Sequence, residues 1–383
     1  VVQQLHDLID GVAVEVRVGV DESPVGVEVQ PLQVHGELVA LVEQGLVPFD
    51  DLRNKFETSA ATGGGPTMLI GAADWGAPLS TAGLILDLTD QVDDALKSSV
   101  NAAAWGGVTV DGKIVGFPQT LKGVVMYRNK TIIADAPATW DDLVAAAKAA
   151  TKGDVVGADL EYGYFFSAGQ LNACNGSLFD ENNEPVFNTD AGPCWLSFLN
   201  SFKDAGPTEY YSDNDVNLFK AGKAGIIIDG TWNLTALAEA IGAHNLAIDP
   251  WPAYPAGGGS MSGYVQTENL FLSVNIGEED MAANLAFAKF FISAEGQAIL
   301  ANPKKAGHIP VASAVEVSDP LLQQAVAAFA GGVPFLISNE MGTTWGPMDT
   351  ALKSVFDEGA APKEAIQKAF DEISAKIKEM HPN

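Results

Sequence analysis

Residues 224–235, AGIIIDGTWNLT, decide how the rest of the chain is read. Three consecutive isoleucines leave no polar face, so the strand they form must be covered on both sides. Such strands belong to sheets sandwiched between helices. The run stops at Asp229-Gly230, and Trp232 follows two residues later. In open α/β sheets, ligands bind outside the carboxyl ends of the strands. An indole at that place is a candidate ligand contact, although core packing is the simpler reading of any one tryptophan.

The pattern around this strand agrees with an α/β chain. PFDDLRNKFETSAAT (48–62) has helical spacing and ends at Gly63-Gly64-Gly65-Pro66. TMLIGAADW (67–75) reads as a short buried strand running into a polar-aromatic loop. Thr139 followed by Asp142 is a capping-box spacing that opens a helix. Residues 280–293 and 362–380 are helical as well. Short apolar strands alternating with helices imply βαβ units and a mostly parallel sheet. Two stretches, 110–130 and 257–275, look like chain crossings between two lobes, with a cleft where the lobes meet. The expected division is 1–119 plus 268–311 for one lobe and 120–267 plus 312–383 for the other. Residues 1–47 are rich in valine, and strand, helix and strand are expected there.

The chain has 383 residues, 47% of them hydrophobic, and a net charge of −28 from 21 basic and 49 acidic side chains. It therefore has material for real cores, and its surface repels nucleic acid and anionic headgroups. The longest nearly apolar run, 325–337, is broken by Gly-Gly and Pro and is too short to span a bilayer. No basic, apolar segment opens the chain, so any export signal is expected to have been removed. Cys174 and Cys194 enclose a polar, turn-rich stretch. A disulfide there would stabilise by about 3 kcal/mol and indicate an oxidising compartment; the alternative is two unrelated buried thiols.

Catalytic and metal patterns are sparse. The 5 histidines show no ligand spacing, and neither a nucleophile elbow nor a phosphate-binding loop occurs. DNDVNL (213–218) begins like a calcium loop but lacks its glycine and its bidentate glutamate. What recurs is tryptophan at strand or turn ends: Trp75 after Asp74, Trp232, and Trp345 at a helix start. An indole offers a flat apolar face to the C–H-rich side of a pyranose. A carboxylate such as Asp74 can accept hydrogen bonds from adjacent hydroxyls. Trp140 and Trp195 open helices and are read as packing residues.

With these residues in view, the sequence resembles the extracytoplasmic solute-binding proteins of ABC importers, in the maltose/maltodextrin-binding branch. The resemblance runs from about Pro48 onward, through VDGKIVGFPQTLKGVVMYRNK, PATWDDLVAAAKA, FKAGKAGIIIDGTWN, AKFFISAEGQAIL, HIPVASA and WGPMDTALKSVF in order. It implies two α/β lobes of a periplasmic-binding-protein-like fold, joined by a multi-strand hinge near Thr120, Thr267 and Val311. It also implies a monomer outside the cytoplasmic membrane that binds maltodextrin, closes on it, and delivers it to a permease. No cofactor, metal or catalysis is implied. Asp74 matches the family's hydroxyl-binding carboxylate, and Trp232 and Trp345 match its stacking aromatics. Tyr162, Tyr164 and Phe165 fall where another aromatic is supplied, and Tyr264 lies on the return crossing. Trp75 and Lys122 replace an arginine and a glutamate of the maltose-binding prototype, and that prototype has an arginine near Asp349. An extracellular glycosidase, or the same fold with another polar solute, are the rival readings.

Overall fold

The computed structural model describes residues 16–20, 27–34, 37–46, 49–302 and 308–381. In the described part of the valine-rich region the chain forms three strands, Val16–Val20, Val27–Val34 and Glu37–Leu46, and no helix. Glu37–Leu46 is central, parallel to Val16–Val20 and antiparallel to Val27–Val34. Alternating β-branched residues such as those of Val16–Val20 suit a pleated surface and lose rotamer freedom in a helix, which accounts for the strands. The parts of that expectation on residues 1–15, 21–26, 35–36 and 47, where a helix was also open, lie outside the described residues.

The chain divides into two compact units. One comprises the chain up to Leu121, Gln266–Val317 and Phe335–Ser338; the other comprises Lys122–Val265, Ser318–Pro334 and the chain from Asn339 on. Two divisions fall inside long strands, Phe117–Asn129 and Tyr264–Leu272. The third falls after Val317, beyond the expected Val311, and the short return at Phe335–Ser338 was not expected from sequence.

In the first unit, Met68–Ala72 pairs antiparallel with the far half of Tyr264–Leu272, with Leu69 opposite Phe271 and Met68 opposite Leu272. Alternate side chains point to opposite faces of a strand. Leu69 and Phe271 accordingly join a core with Phe56, of the helix Phe49–Ala61, and Trp75. Met68, Leu270 and Leu272 join another with Trp105, Phe117, Phe287 and Phe291.

In the second unit, Ala224–Gly230 is buried along its whole length. It runs parallel to Val156–Glu161 on one side and antiparallel to the end of Phe117–Asn129 on the other. Leu246–Asp249 pairs antiparallel beyond that, and Thr208–Glu209 pairs parallel beyond Val156–Glu161. The sheet is thus mixed rather than mostly parallel. A strand covered on both faces reads as continuously apolar whichever way its neighbours run, so apolarity carried no information on direction. One charged pair sits inside this unit. Arg128 donates from Nε and Nη2 to both carboxylate oxygens of Asp249, at 2.5 and 2.9 Å, and from Nη1 to the carbonyls of Ile133 and Ala134. With every group partnered, the cost of desolvating the pair is offset. Thr139 and Asp142 form the expected capping box at the helix Trp140–Ala150. Trp140 and Trp195 are buried, as read from sequence.

Candidate functional site

Gly230 explains how the isoleucine strand ends in an indole. A Cβ placed on it would lie 2.1 Å from the Trp232 ring, so only glycine lets the indole fold back over the backbone. Asp229 shapes the turn: its carboxylate accepts from the Gly230 N–H and the Asn233 amide, both at 2.6 Å. Burial pushes that carboxyl up to about 6 against the opposing pull of those two donors. The Tyr127 hydroxyl donates to the Gly230 carbonyl at 2.9 Å, which fixes the turn from below. Trp232 is left 46% exposed, the only large apolar side chain of this turn so placed.

Other rings of the second unit gather around it. The Phe165 centroid lies 6.0 Å from Trp232, 6.1 Å from Tyr264 and 6.4 Å from Trp345, nearly parallel to the last at 18°. Phe166 lies 6.2 Å from Trp232 and 6.1 Å from Tyr211, whose ring is 44% exposed. The Lys122 ammonium stands over the Trp232 ring at 5.8 Å, within cation–π range. Phe165, Phe166 and Trp345 are half-buried, and Tyr264 is buried.

Tyr164 supports the cluster without exposing a face. It is fully buried, meets Trp345 edge-on at 5.3 Å, and donates its hydroxyl to Thr344 Oγ1 at 3.1 Å. Thr344 directly precedes the helix Trp345–Phe356, so this bond holds the start of the helix that carries Trp345. Asp349, from the next turn of that helix, accepts from the Tyr164 backbone N–H at 3.2 Å. Burial raises the Asp349 carboxyl above the usual range, countered by the Tyr210 hydroxyl, the Tyr164 N–H and the Lys353 charge.

Two of the expected ligand aromatics are packing residues. Trp75 is 7% exposed, packs on Phe49 at 5.0 Å in the first unit's core, and closes over Gly71. The strand end at Ala72 turns the indole inward, through the 3-10 turn Ala73–Trp75. Tyr162 lays its face on Phe356 at 4.0 Å and 8°, and its hydroxyl donates to Asp357. Asp74 is half-buried on the same turn as Trp75, in the first unit. Cys174 and Cys194 are bridged, with Cα atoms 6.1 Å apart, which ties the 3-10 segment Ala168–Cys174 to the helix Ala191–Ser201. Residues 213–218 form no calcium loop; Asn214–Lys220 is a helix. Phe166 and Tyr211 were missed from sequence. An aromatic pair YY at 210–211 just after a strand was the available signal.

The chain is similar to the galactooligosaccharide-binding protein of Bacillus subtilis, at 25% identity over 375 residues, 91% of this chain and 85% of that one. It is also 25% identical to a maltooligosaccharide ABC transporter solute-binding lipoprotein of Streptococcus pneumoniae over 309 residues, 74% of this chain and 68% of that one. In fold it is similar to a maltose/maltodextrin-binding domain from Bdellovibrio bacteriovorus bound to maltotriose. The TM-score is 0.82 at 20% identity, over 95% of this chain and 100% of that one. Residues 38–330 match the model of one family, and the chain belongs to it: the bacterial extracellular solute-binding proteins.

Proposed function

We propose that this protein captures a neutral oligosaccharide of the malto-oligosaccharide class on the aromatic cluster of its second unit, outside the cytoplasmic membrane. It then hands the sugar unaltered to the permease of an ABC transporter, and it works as a monomer. The observation that carries the reading is the exposed Trp232 ring held among Phe165, Phe166, Tyr211 and Trp345. Flat apolar faces suit the C–H side of a pyranose, and nearby carboxylates such as Asp349 suit its hydroxyls. A net charge of −28 disfavours anionic cargo. Micromolar affinity requires about −8 kcal/mol, within reach of a few stacked rings and charged hydrogen bonds. The relatives' oligosaccharide names and the ABC transporter named for one of them support the same reading.

Calorimetric titration with maltotriose, a galacto-oligosaccharide and a polyol tests it. Maltotriose is expected to bind with one-to-one stoichiometry and to be recovered intact after prolonged incubation. Shortened products would favour a glycosidase, and binding by the polyol alone would overturn the sugar class.

A further inference from the structure

One buried carboxylate touches two of the segments that bring rings to the cluster. Glu161 ends the strand Val156–Glu161 and is 3% exposed. Its Oε1 accepts from the Gly163 N–H at 2.5 Å, immediately before the short helix Tyr164–Ser167 that carries Phe165 and Phe166. Its Oε2 accepts from the Ser212 N–H at 3.3 Å, immediately after Tyr211. The Tyr211 hydroxyl in turn accepts from the Phe165 N–H at 3.0 Å. Tyr211 has φ +45°, a left-handed backbone that a non-glycine residue keeps only when its surroundings impose it. Gly163 shows how close the parts are: a Cβ there would lie 2.8 Å from the Tyr211 ring and 2.9 Å from Glu161 Oε1.

We infer that Glu161 is a positioning residue whose ionised carboxylate ties the Phe165 and Tyr211 segments into one ring-bearing surface, so that ligand affinity depends on its charge. The inference rests on the oligosaccharide reading of the cluster but concerns a residue that touches no ligand. An ionised carboxylate accepts on both oxygens, whereas a protonated one presents an O–H and loses an acceptor position toward one of the two N–H groups. One segment is then released.

The charges around Glu161 all press toward protonation. Glu209, on the neighbouring strand Thr208–Glu209, and Asp159, on its own strand, face it. Asp215, on the flanking helix, is in turn raised by burial and by the charges of Asp229, Glu209 and Asp159. Tyr162 and Tyr211 are its phenolic neighbours. Burial is the largest effect, and against the backbone N–H groups of Gly163, Tyr211 and Ser212 it leaves the Glu161 carboxyl raised to about 7.

If only the ionised form is competent, apparent affinity scales with its population. Maltotriose is expected to bind about tenfold more weakly at pH 6 than at pH 8. Binding near pH 7 is expected to release protons, seen as a dependence of the calorimetric heat on buffer ionisation enthalpy. Glu161→Gln, with a single acceptor oxygen at every pH, is expected to bind weakly with the pH dependence flattened and no proton release. A pH profile unchanged in Glu161→Gln would overturn the inference. A second measurement needs neither the variant nor the sugar. In the ligand-free wild type, the amide proton shifts of Gly163 and Ser212 are expected to titrate together near neutral pH. Shifts that stay flat from pH 5.5 to 8.5 would sink the proposal. Coupled titration without maltotriose binding would instead leave Glu161 in place and remove the sugar reading.

Discussion

Trp232 and Trp75 are chemically the same residue with opposite fates, and their substitutions separate binding from stability. Trp232 stands nearly half exposed over Gly230, so replacing it by alanine removes a contact face but little core. Losing the burial of one large apolar side chain costs about 2 kcal/mol, roughly thirtyfold in affinity. Trp232→Ala is therefore expected to weaken maltotriose binding by about that factor, with an unchanged thermal midpoint. Trp75 fills a core with Phe49, Phe56 and Phe271. Trp75→Ala is expected to cost about 3–5 kcal/mol of the first unit's stability in urea unfolding. A Trp75→Ala protein as stable as the wild type would contradict that placement.

Among elements, the segment after the Phe165 helix depends on two anchors. The Cys174–Cys194 disulfide holds its far end, and the Trp195 indole N–H donates to the Ser167 carbonyl at 2.9 Å. The enclosed stretch is polar and rich in turns, with Phe179 and Phe187 as its buried apolar contacts. Replacing both cysteines by serine is expected to lower second-unit stability by about 3 kcal/mol on the loop-closure account, measured by urea denaturation. A loss below the error of that measurement would show that Trp195 and its neighbours suffice. The direction of the strands beside Ala224–Gly230 also belongs to this scale. Their burial was legible from isoleucine, but antiparallel pairing with Lys122–Asn129 was not, because both arrangements bury the same side chains.

For the whole molecule, acid residues inside the second unit set the response to pH. Burial is the leading cause that raises Asp159 and Asp215 to about 8, Glu161 to about 7 and Asp229 to about 6. A carboxyl raised in the folded state binds its proton more tightly there than when unfolded. Its stabilising contribution is complete below the ordinary carboxylate range and is lost as pH rises through the raised value. Asp87, Asp154 and Asp180 are shifted the other way, by hydrogen bonds from neighbouring groups, and their contribution fades only as pH falls below the ordinary range. Calorimetry on the ligand-free protein is therefore expected to show the melting temperature rising as pH falls from 8.5 to about 5. The self-repulsion of a strongly acidic chain acts in the same direction. A midpoint that is flat or falling over that range would count against the buried-acid account. Affinity and stability thus move in opposite directions with pH, since the charge that orders the ring-bearing segments is the one that burial penalises.

The sequence by itself determined the alternation of helices and strands and the place of Trp232 just past the end of a buried strand. These follow from local patterning: apolar runs, the Thr139–Asp142 cap, and the stop at Asp229-Gly230. Only the tertiary structure decided that Trp75 and Tyr162 turn into cores, that Phe166 and Tyr211 join the cluster, and that Glu161 links its segments. The physical reason is that spacing along the chain fixes which face a side chain takes on its own element. What covers that face is set by partners distant in sequence, such as Phe49 for Trp75 and Phe356 for Tyr162.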